Sequence, residues 1–379
     1  SMGRFSFNKP KRMRRVFTCS NNLEYGHMRR ETRWLHLMVV ANLVLIFANV
    51  TLAQRNEKPN IVFILVDNLG WGELGVYGGG ILRGAPTPNI DRLARDGLRL
   101  LNYNVEASCA PTRAALITGR FAIRTGTLRS PRAGERNGLV RWEVTIAELL
   151  SRQGYATALY GKWHLGDEQG RFPSDRGFDE WYGIPRSTGE AQNRLSLQYD
   201  SKVVPPEYVL EGRKGEKTRE VEEYTPDARR RIDTEITRRS IAFMKQNVAS
   251  HSRFYAYISL TQVHFPALPS AEFAGKTGNG DFADSVVETD HHVSEILAAI
   301  DSLGISKDTL VVFSSDNGPE YRRPWQGTAG YWSGSYHTAL EGSLRAPFII
   351  RWPDKIKPGV SNEIVHAVDM FTTLACVAG

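Results

Sequence analysis

The residues most able to do chemistry are a cysteine, an arginine, a lysine, two histidines and two pairs of amide and acid side chains. Cys109-Ala110-Pro111-Thr112-Arg113 opens a helix-like run that continues to Gly119-Arg120. A helix N-terminus favours anions, and a guanidinium four residues on adds a bidentate partner for a tetrahedral oxyanion. A cysteine phosphatase needs its arginine two residues later, where Ala115 stands. A buried structural thiol is the alternative reading of Cys109. Asp67-Asn68 ends one apolar run and Asp316-Asn317 ends another. Polar residues at the C-terminal ends of central strands are where open α/β sheets place ligands. Lys162 and His164 alternate along a strand-like stretch and so share one side of it. His264 stands two residues before Pro266, and histidine is the side chain most often used as acid or base. His291 and His292 are neighbours within a helical pattern, so they point in different directions and are read as structural.

These residues must be positioned by strands and helices in alternation. Asn60–Val66 is a continuous apolar, β-branched run, the pattern of a strand buried on both faces. Residues 253–260, 310–314 and 347–352 predict further strands. Residues 89–96, 113–118, 145–152, 284–303 and 369–377 predict helices. Such alternation argues for an α/β fold. Residues 211–240 carry a dense run of mixed charges. They are read as a solvated helical insertion, with a lid over the site as the sharper alternative.

Composition excludes several classes of protein. The 379 residues are 41% apolar, an ordinary fraction for a chain with a large core. Three cysteines cannot staple this length. Residues 1–53 hold nine basic and two acidic residues, which accounts for the whole net charge of +7. Residues 54–379 are therefore electrically neutral overall, and no nucleic-acid partner is expected. Within the leader, the basic segment Met28–Arg33 precedes an apolar run of about 15 residues and the small residues near Ala53. That order is a secretory signal peptide, or a membrane anchor if it stays uncleaved. An exported, periplasmic or secreted protein is expected. Cys19 lies in this leader, and Cys376 falls in an apolar helical pattern that predicts a buried thiol.

Cys109-Ala110-Pro111-Thr112-Arg113 resembles the C-x-P-x-R signature of the sulfatases, and Gly161-Lys162-Trp163-His164-Leu165-Gly166 is similar to that family's second signature. Asp67-Asn68-Leu69-Gly70 and Ser315-Asp316-Asn317-Gly318 resemble its two metal segments. Thr87-Pro88-Asn89-Ile90-Asp91 and Val263-His264-Phe265-Pro266 follow in the family's order. The resemblance runs from about Pro59 to Gly379. It implies an alkaline-phosphatase-like α/β sandwich with a large central mixed, mostly parallel sheet between helices. Residues 54–379 would form the catalytic domain, truncated at the C-terminus, where sulfatases generally add a smaller domain.

The resemblance also implies hydrolysis of a sulfate monoester to an alcohol or phenol and inorganic sulfate. Cys109 would be oxidised to formylglycine by a formylglycine-generating enzyme, and the export machinery would be a second partner. The formylglycine hydrate would attack sulfur with one hydroxyl and expel sulfate with the other. Asp67, Asn68, Asp316 and Asn317 would bind Ca²⁺ rather than Mg²⁺, since oxygen ligands suit a hard cation. Arg113 and Lys162 would stabilise anionic charge, with Lys162 and His264 also contacting substrate. His164 would act as base and His264 as general acid. Two positions depart from the family. Asn68 stands where an aspartate is usual, and Tyr336 stands where a lysine is usual, five residues before Glu341-Gly342-Ser343. His337 could supply the missing charge if the loop shifts by one residue. A phosphonate or phosphodiester hydrolase, and a non-catalytic binder of sulfated glycans, are the alternative functions.

Overall fold

The computed structural model describes residues 58–131, 135 and 137–379, together with Met38 and Val40. The rest of the leader, and with it the signal-peptide reading, lies outside the described residues. Among the described residues no helix is long and apolar enough to cross a membrane.

Ten strands form the main sheet: β1 (Asn60–Val66), β2 (Leu98–Leu100), β3 (Ala156–Lys162), β4 (Glu180–Ile184), β5 (Tyr208–Arg213), β6 (Arg219–Glu223), β7 (Phe254–Ser259), β8 (Thr309–Ser315), β9 (Phe348–Arg351) and β10 (Gly359–Ser361). Their spatial order is β10-β2-β9-β8-β1-β7-β3-β4-β5-β6. The five central strands, β8-β1-β7-β3-β4, are parallel to one another. Antiparallel pairings occur only towards the two sides. The sheet is thus mixed, with a parallel centre, as the sequence implies.

β1 shows why the centre is buried on both faces. Val62, Ile64 and Val66 pack into one core with α1 (Pro88–Arg95), α4 (Pro226–Ala249) and α5 (Asp281–Ser302). Ile61, Phe63 and Leu65 pack into the other with α2 (Cys109–Thr118), α3 (Ile146–Arg152) and α6 (Asp369–Ala378). Side chains alternate across a strand, so one apolar run feeds two cores. Capping sharpens the helix starts. Thr145 and Glu148 form a reciprocal capping box at α3, and the Thr225 hydroxyl accepts from the Ala228 amide at α4.

The structure corrects three expectations. Residues 211–240 are not one helical insertion. Their first part is an edge hairpin, β5 with β6, and only the part from Pro226 onward is helix. Exposed edge strands carry charge because it blocks further pairing, so mixed-sign density there resembles a solvated helix in sequence. This hairpin lies at the rim of the sheet rather than forming a lid. Strand β4 was not predicted, and only the Lys162 end of β3 was read as strand-like; His164 lies beyond that strand. Glycines interrupt both, and Gly161 and Gly183 have positive φ at 116° and 151°. A Cβ at Gly161 would overlap the Ser259 carbonyl oxygen, so glycine is required where β3 and β7 approach. Cys376 is exposed, because α6 buries Met370, Leu374 and Ala378 and leaves the thiol off that stripe.

His292 is structural, as expected. It is buried on α5, with Nδ1 3.1 Å from Glu295 and Nε2 3.7 Å from Glu288. Burial opposes its charge, but these carboxylates, with Asp233 nearby, push its pKa up to about 9. A raised folded-state pKa adds stability that is fully present below the unfolded value near 6.5 and lost as pH rises through about 9. Discounting for the exposure of Glu295, the loss over that window should be about 2 kcal/mol. Urea unfolding across the window should show this slope flattened in His292→Gln. The same slope in both proteins would refute the assignment.

Candidate active site

The parallel centre of the sheet gathers the site at one edge. Asp67 and Asn68 follow β1, Asp316 and Asn317 follow β8, Lys162 ends β3, and Ser259 ends β7, with His264 just beyond. Cys109 is the first residue of α2 and Arg113 lies one turn later. Residues four apart share a helix face, so thiol and guanidinium face the strand ends together.

The geometry centres on Asp67 and Cys109. Cys109 Sγ lies 3.6 Å from Asp67 Oδ1, 3.5 Å from Asn68 Oδ1 and 3.7 Å from the Tyr336 hydroxyl. Lys162 Nζ donates to both Asp67 oxygens at 2.9 and 2.8 Å. Arg113 donates to Asp316 Oδ2 from Nε at 3.0 Å and from Nη2 at 2.8 Å. Its Nη1 donates to the Lys162 carbonyl and the Ser259 hydroxyl at 2.8 and 2.6 Å. Asp316 Oδ1 accepts from the Asn68 backbone N–H at 3.1 Å. Ligand atoms of Asp67, Cys109 and His264 all lie within 4.8 Å of one another. Tyr336 is half-buried, and the other side chains named here are buried.

Two of the residues adopt left-handed backbone. Asn68 has φ 59° and His164 has φ 60°. Non-glycine residues in that region are uncommon and gather at functional sites, and asparagine bears the conformation better than most.

Electrostatics follow from burial and pairing. Burial would raise the Asp67 carboxyl, but Lys162, His264 and Arg113 together hold it well below the usual range. Burial drives the Asp316 carboxyl upward, with Asp67 adding to it and Arg113 opposing. Burial also lowers His164 well below the ordinary histidine value, and Lys162 and Arg113 lower it further. His164 is therefore neutral, and neither ring nitrogen has a hydrogen-bond partner. Burial and the nearby Asp316 carboxylate push the Cys109 thiol up, so it stays protonated. A buried protonated thiol is a poor nucleophile, which argues against direct thiolate chemistry.

Of the residues singled out in the sequence, Cys109, Arg113, Lys162, Asp67, Asn68, Asp316, Asn317 and His264 come together, and His164 is buried beside them. His337 does not join them. It is exposed, its amide donates to the Ala107 carbonyl, and its ring rests on Tyr336 at 4.1 Å. Tyr336 is the residue that reaches Cys109. Three contributors went unnoticed in the sequence. Thr188 donates its hydroxyl to Asp67 Oδ2 at 2.6 Å. Ser259 accepts from Arg113. Glu320 accepts from the Phe265 amide at 3.0 Å and lies 3.9 Å from His264 Nδ1. Ser259 ends β7, the signal that exposed Asp67 and Asp316, whereas Thr188 lies four residues beyond β4, and β4 itself was not legible.

A hard cation fits this donor set. Asp67 and Asn68 aim side-chain oxygens at one point beside Cys109, and Asn317 has a buried Oδ1 with no partner. Two carboxylates are already balanced by Lys162 and Arg113. A divalent cation would leave the site with net positive charge, suited to an anionic substrate.

The sulfatase family model matches residues 59–379, and the chain belongs to that family. It is similar to human arylsulfatase A, 36% identical over 337 residues, which span 85% of this chain and 64% of that protein. It is similar also to rat N-acetylgalactosamine-6-sulfatase, 36% identical over 344 residues, which span 86% of this chain and 63% of that protein. The chain thus spans somewhat less than two thirds of these relatives. Among solved structures, the PsFucS1 sulfatase from Pseudoalteromonas sp. superposes with a TM-score of 0.80 at 34% identity, covering 86% of this chain and 69% of that one. The architecture is the alkaline-phosphatase-like sandwich that the motifs imply, and the family implies a metal ion and a modified cysteine at this site.

Proposed function

We propose that the chain hydrolyses a sulfate monoester carried on a carbohydrate or aryl alcohol. The observation that carries this reading is the convergence of the Cys109 side chain, the Asp67 and Asn68 oxygens, His264 and the paired cations Lys162 and Arg113 in one buried cluster. A hydroxyl of the hydrated aldehyde made from Cys109 would supply the oxygen nucleophile, and Asp67, Asn68, Asp316 and Asn317 would hold a Ca²⁺ that polarises the sulfate.

The chain's own residues supply the rest. Lys162 donates to both oxygens of Asp67 and Arg113 donates twice to Asp316, so they hold the ligand carboxylates in place and contribute positive charge from there. His164, neutral and without partners, can accept a proton inside the site. Nδ1 of His264 lies 2.6 Å from the Phe265 carbonyl. A hydrogen on Nδ1 satisfies that contact and leaves Nε2 to deliver a proton to the leaving oxygen. Glu320 Oε2 lies 3.9 Å from the same Nδ1 and so faces the imidazole on the side away from Nε2. The leader supports export of the protein.

The test is made on protein co-expressed with a formylglycine-generating enzyme. Mass spectrometry should find the Cys109 peptide in its aldehyde form. Turnover of 4-nitrophenyl sulfate should exceed that of the matching phosphate diester, and Ca²⁺ should raise the melting temperature of the wild type but not of Asp316→Ala. Faster diester turnover would overturn the sulfatase reading.

A further inference from the structure

Beyond the buried cluster, the chain leaving the Asp316-Asn317 end of β8 forms a small hairpin. Tyr321–Arg322 pairs with Trp325–Gln326, and the Gly327 amide closes it on the Glu320 carbonyl at 3.0 Å. Glu320 fixes the base of this hairpin to the Phe265 amide beside His264. Arg322 lies over the Phe265 ring, with its guanidinium carbon 3.8 Å from the ring centre. The same ring stacks on the His264 imidazole, with centroids 4.9 Å apart and planes 24° apart. Those two separations place the guanidinium no farther than about 9 Å from the imidazole centre.

The charge at this position is unspent. Among the described residues no carboxylate pairs with Arg322 or Arg323, and both are exposed. The contrast is with Arg113, Arg186 and Arg345, each bound to an acid. Stacking on an aromatic face holds a guanidinium in place while leaving its N–H edges free. Across the same two rings lies Gly189, where even a Cβ would come within 3.3 Å of both His264 and Phe265. The absent side chain leaves that side of His264 lined by backbone. A fixed, unpaired guanidinium beside the general acid is what recognition of a second charge on the substrate requires.

We propose that Arg322, assisted by Arg323 at the hairpin turn, forms an anion subsite for a second negative group of the substrate, a sulfate or carboxylate on the same or the adjoining sugar. The preferred substrate is then a polyanionic carbohydrate rather than a singly charged ester. This rests on the sulfatase reading above, with His264 facing the leaving oxygen.

The experiment compares N-acetylgalactosamine 6-sulfate with N-acetylgalactosamine 4,6-disulfate and with a disaccharide that joins the 6-sulfate to a uronate. Arg322→Gln should raise KM for the doubly charged substrates about tenfold with kcat held, the response of lost ground-state binding. Arg322→Lys should restore part of it. A larger effect on the disulfate than on the uronate assigns the subsite to sulfate, and the reverse to carboxylate. Equal KM changes on all three substrates, or none, would overturn the proposal. If the wild type turns over none of them, 4-nitrophenyl sulfate tests the sulfatase reading separately, and that reading fails if this ester too is left intact. Calorimetric binding of the same three sugars to Cys109→Ala, with and without Arg322→Gln, then decides the subsite: a selective loss for the doubly charged sugars upholds it, and equal affinity for all three sinks it.

Discussion

Replacing Arg113 with alanine should cost about 3–5 kcal/mol of folding stability, the usual penalty for stripping one partner from a buried ion pair. Arg113 and Asp316 are both almost wholly buried, and two guanidinium nitrogens meet one carboxylate oxygen. The third nitrogen satisfies the Lys162 carbonyl and the Ser259 hydroxyl. Alanine would leave a carboxylate, a carbonyl and a hydroxyl without that donor in a site closed to water. Lysine cannot repair this, because one ammonium cannot reproduce the planar fork. Activity should fall with stability, since Asp316 also accepts from the backbone N–H of Asn68 and so fixes that residue. Chemical denaturation and steady-state kinetics on purified Arg113→Ala check both. A loss under 1 kcal/mol would mean that water or a rearranged side chain takes over the Asp316 oxygens.

Replacing Cys109 with alanine should do the opposite. Turnover should drop by at least about a thousandfold, as expected when a covalent nucleophile is removed. Stability should change by about 1 kcal/mol or less, because only one buried heavy atom is lost. The Cys109 contacts explain the contrast. Its sulfur meets oxygens at 3.5 to 3.7 Å, weak contacts for a thiol, and it carries no charge that another group must balance. The unmodified thiol should also resist alkylation at mild alkaline pH, since burial and Asp316 keep it protonated. Melting temperature, turnover and the alkylation rate are the measurements. Residual turnover of more than a few per cent in Cys109→Ala would remove this residue from the chemistry.

The two variants separate what the linear chain specifies from what folding adds. The sequence specifies β1 to the residue, because six consecutive apolar side chains, Ile61 to Val66, have no other economical state than a strand buried on both faces. It places Asp67 and Asp316 at strand ends and Cys109 and Arg113 on one helix face, since both inferences need only local periodicity. The neutral charge of residues 54–379 is likewise a matter of counting. Expectation and structure part company where the answer depends on a distant neighbour. Residues 211–240 look like one charged helix until β5 and β6 are seen to close the sheet's edge. Cys376 looks buried until α6 chooses the face it turns inward. Tyr336 rather than His337 reaches the thiol, and His337, in left-handed backbone with φ 67°, is left exposed. Thr188 meets Asp67 across 121 positions of sequence, and Arg113 meets Asp316 across 203. Those pairings follow from strand order and register, which no local pattern encodes. The chemical groups were written in the sequence, whereas the partner each group meets, and so its charge, was decided only when parallel strands brought their ends to one edge.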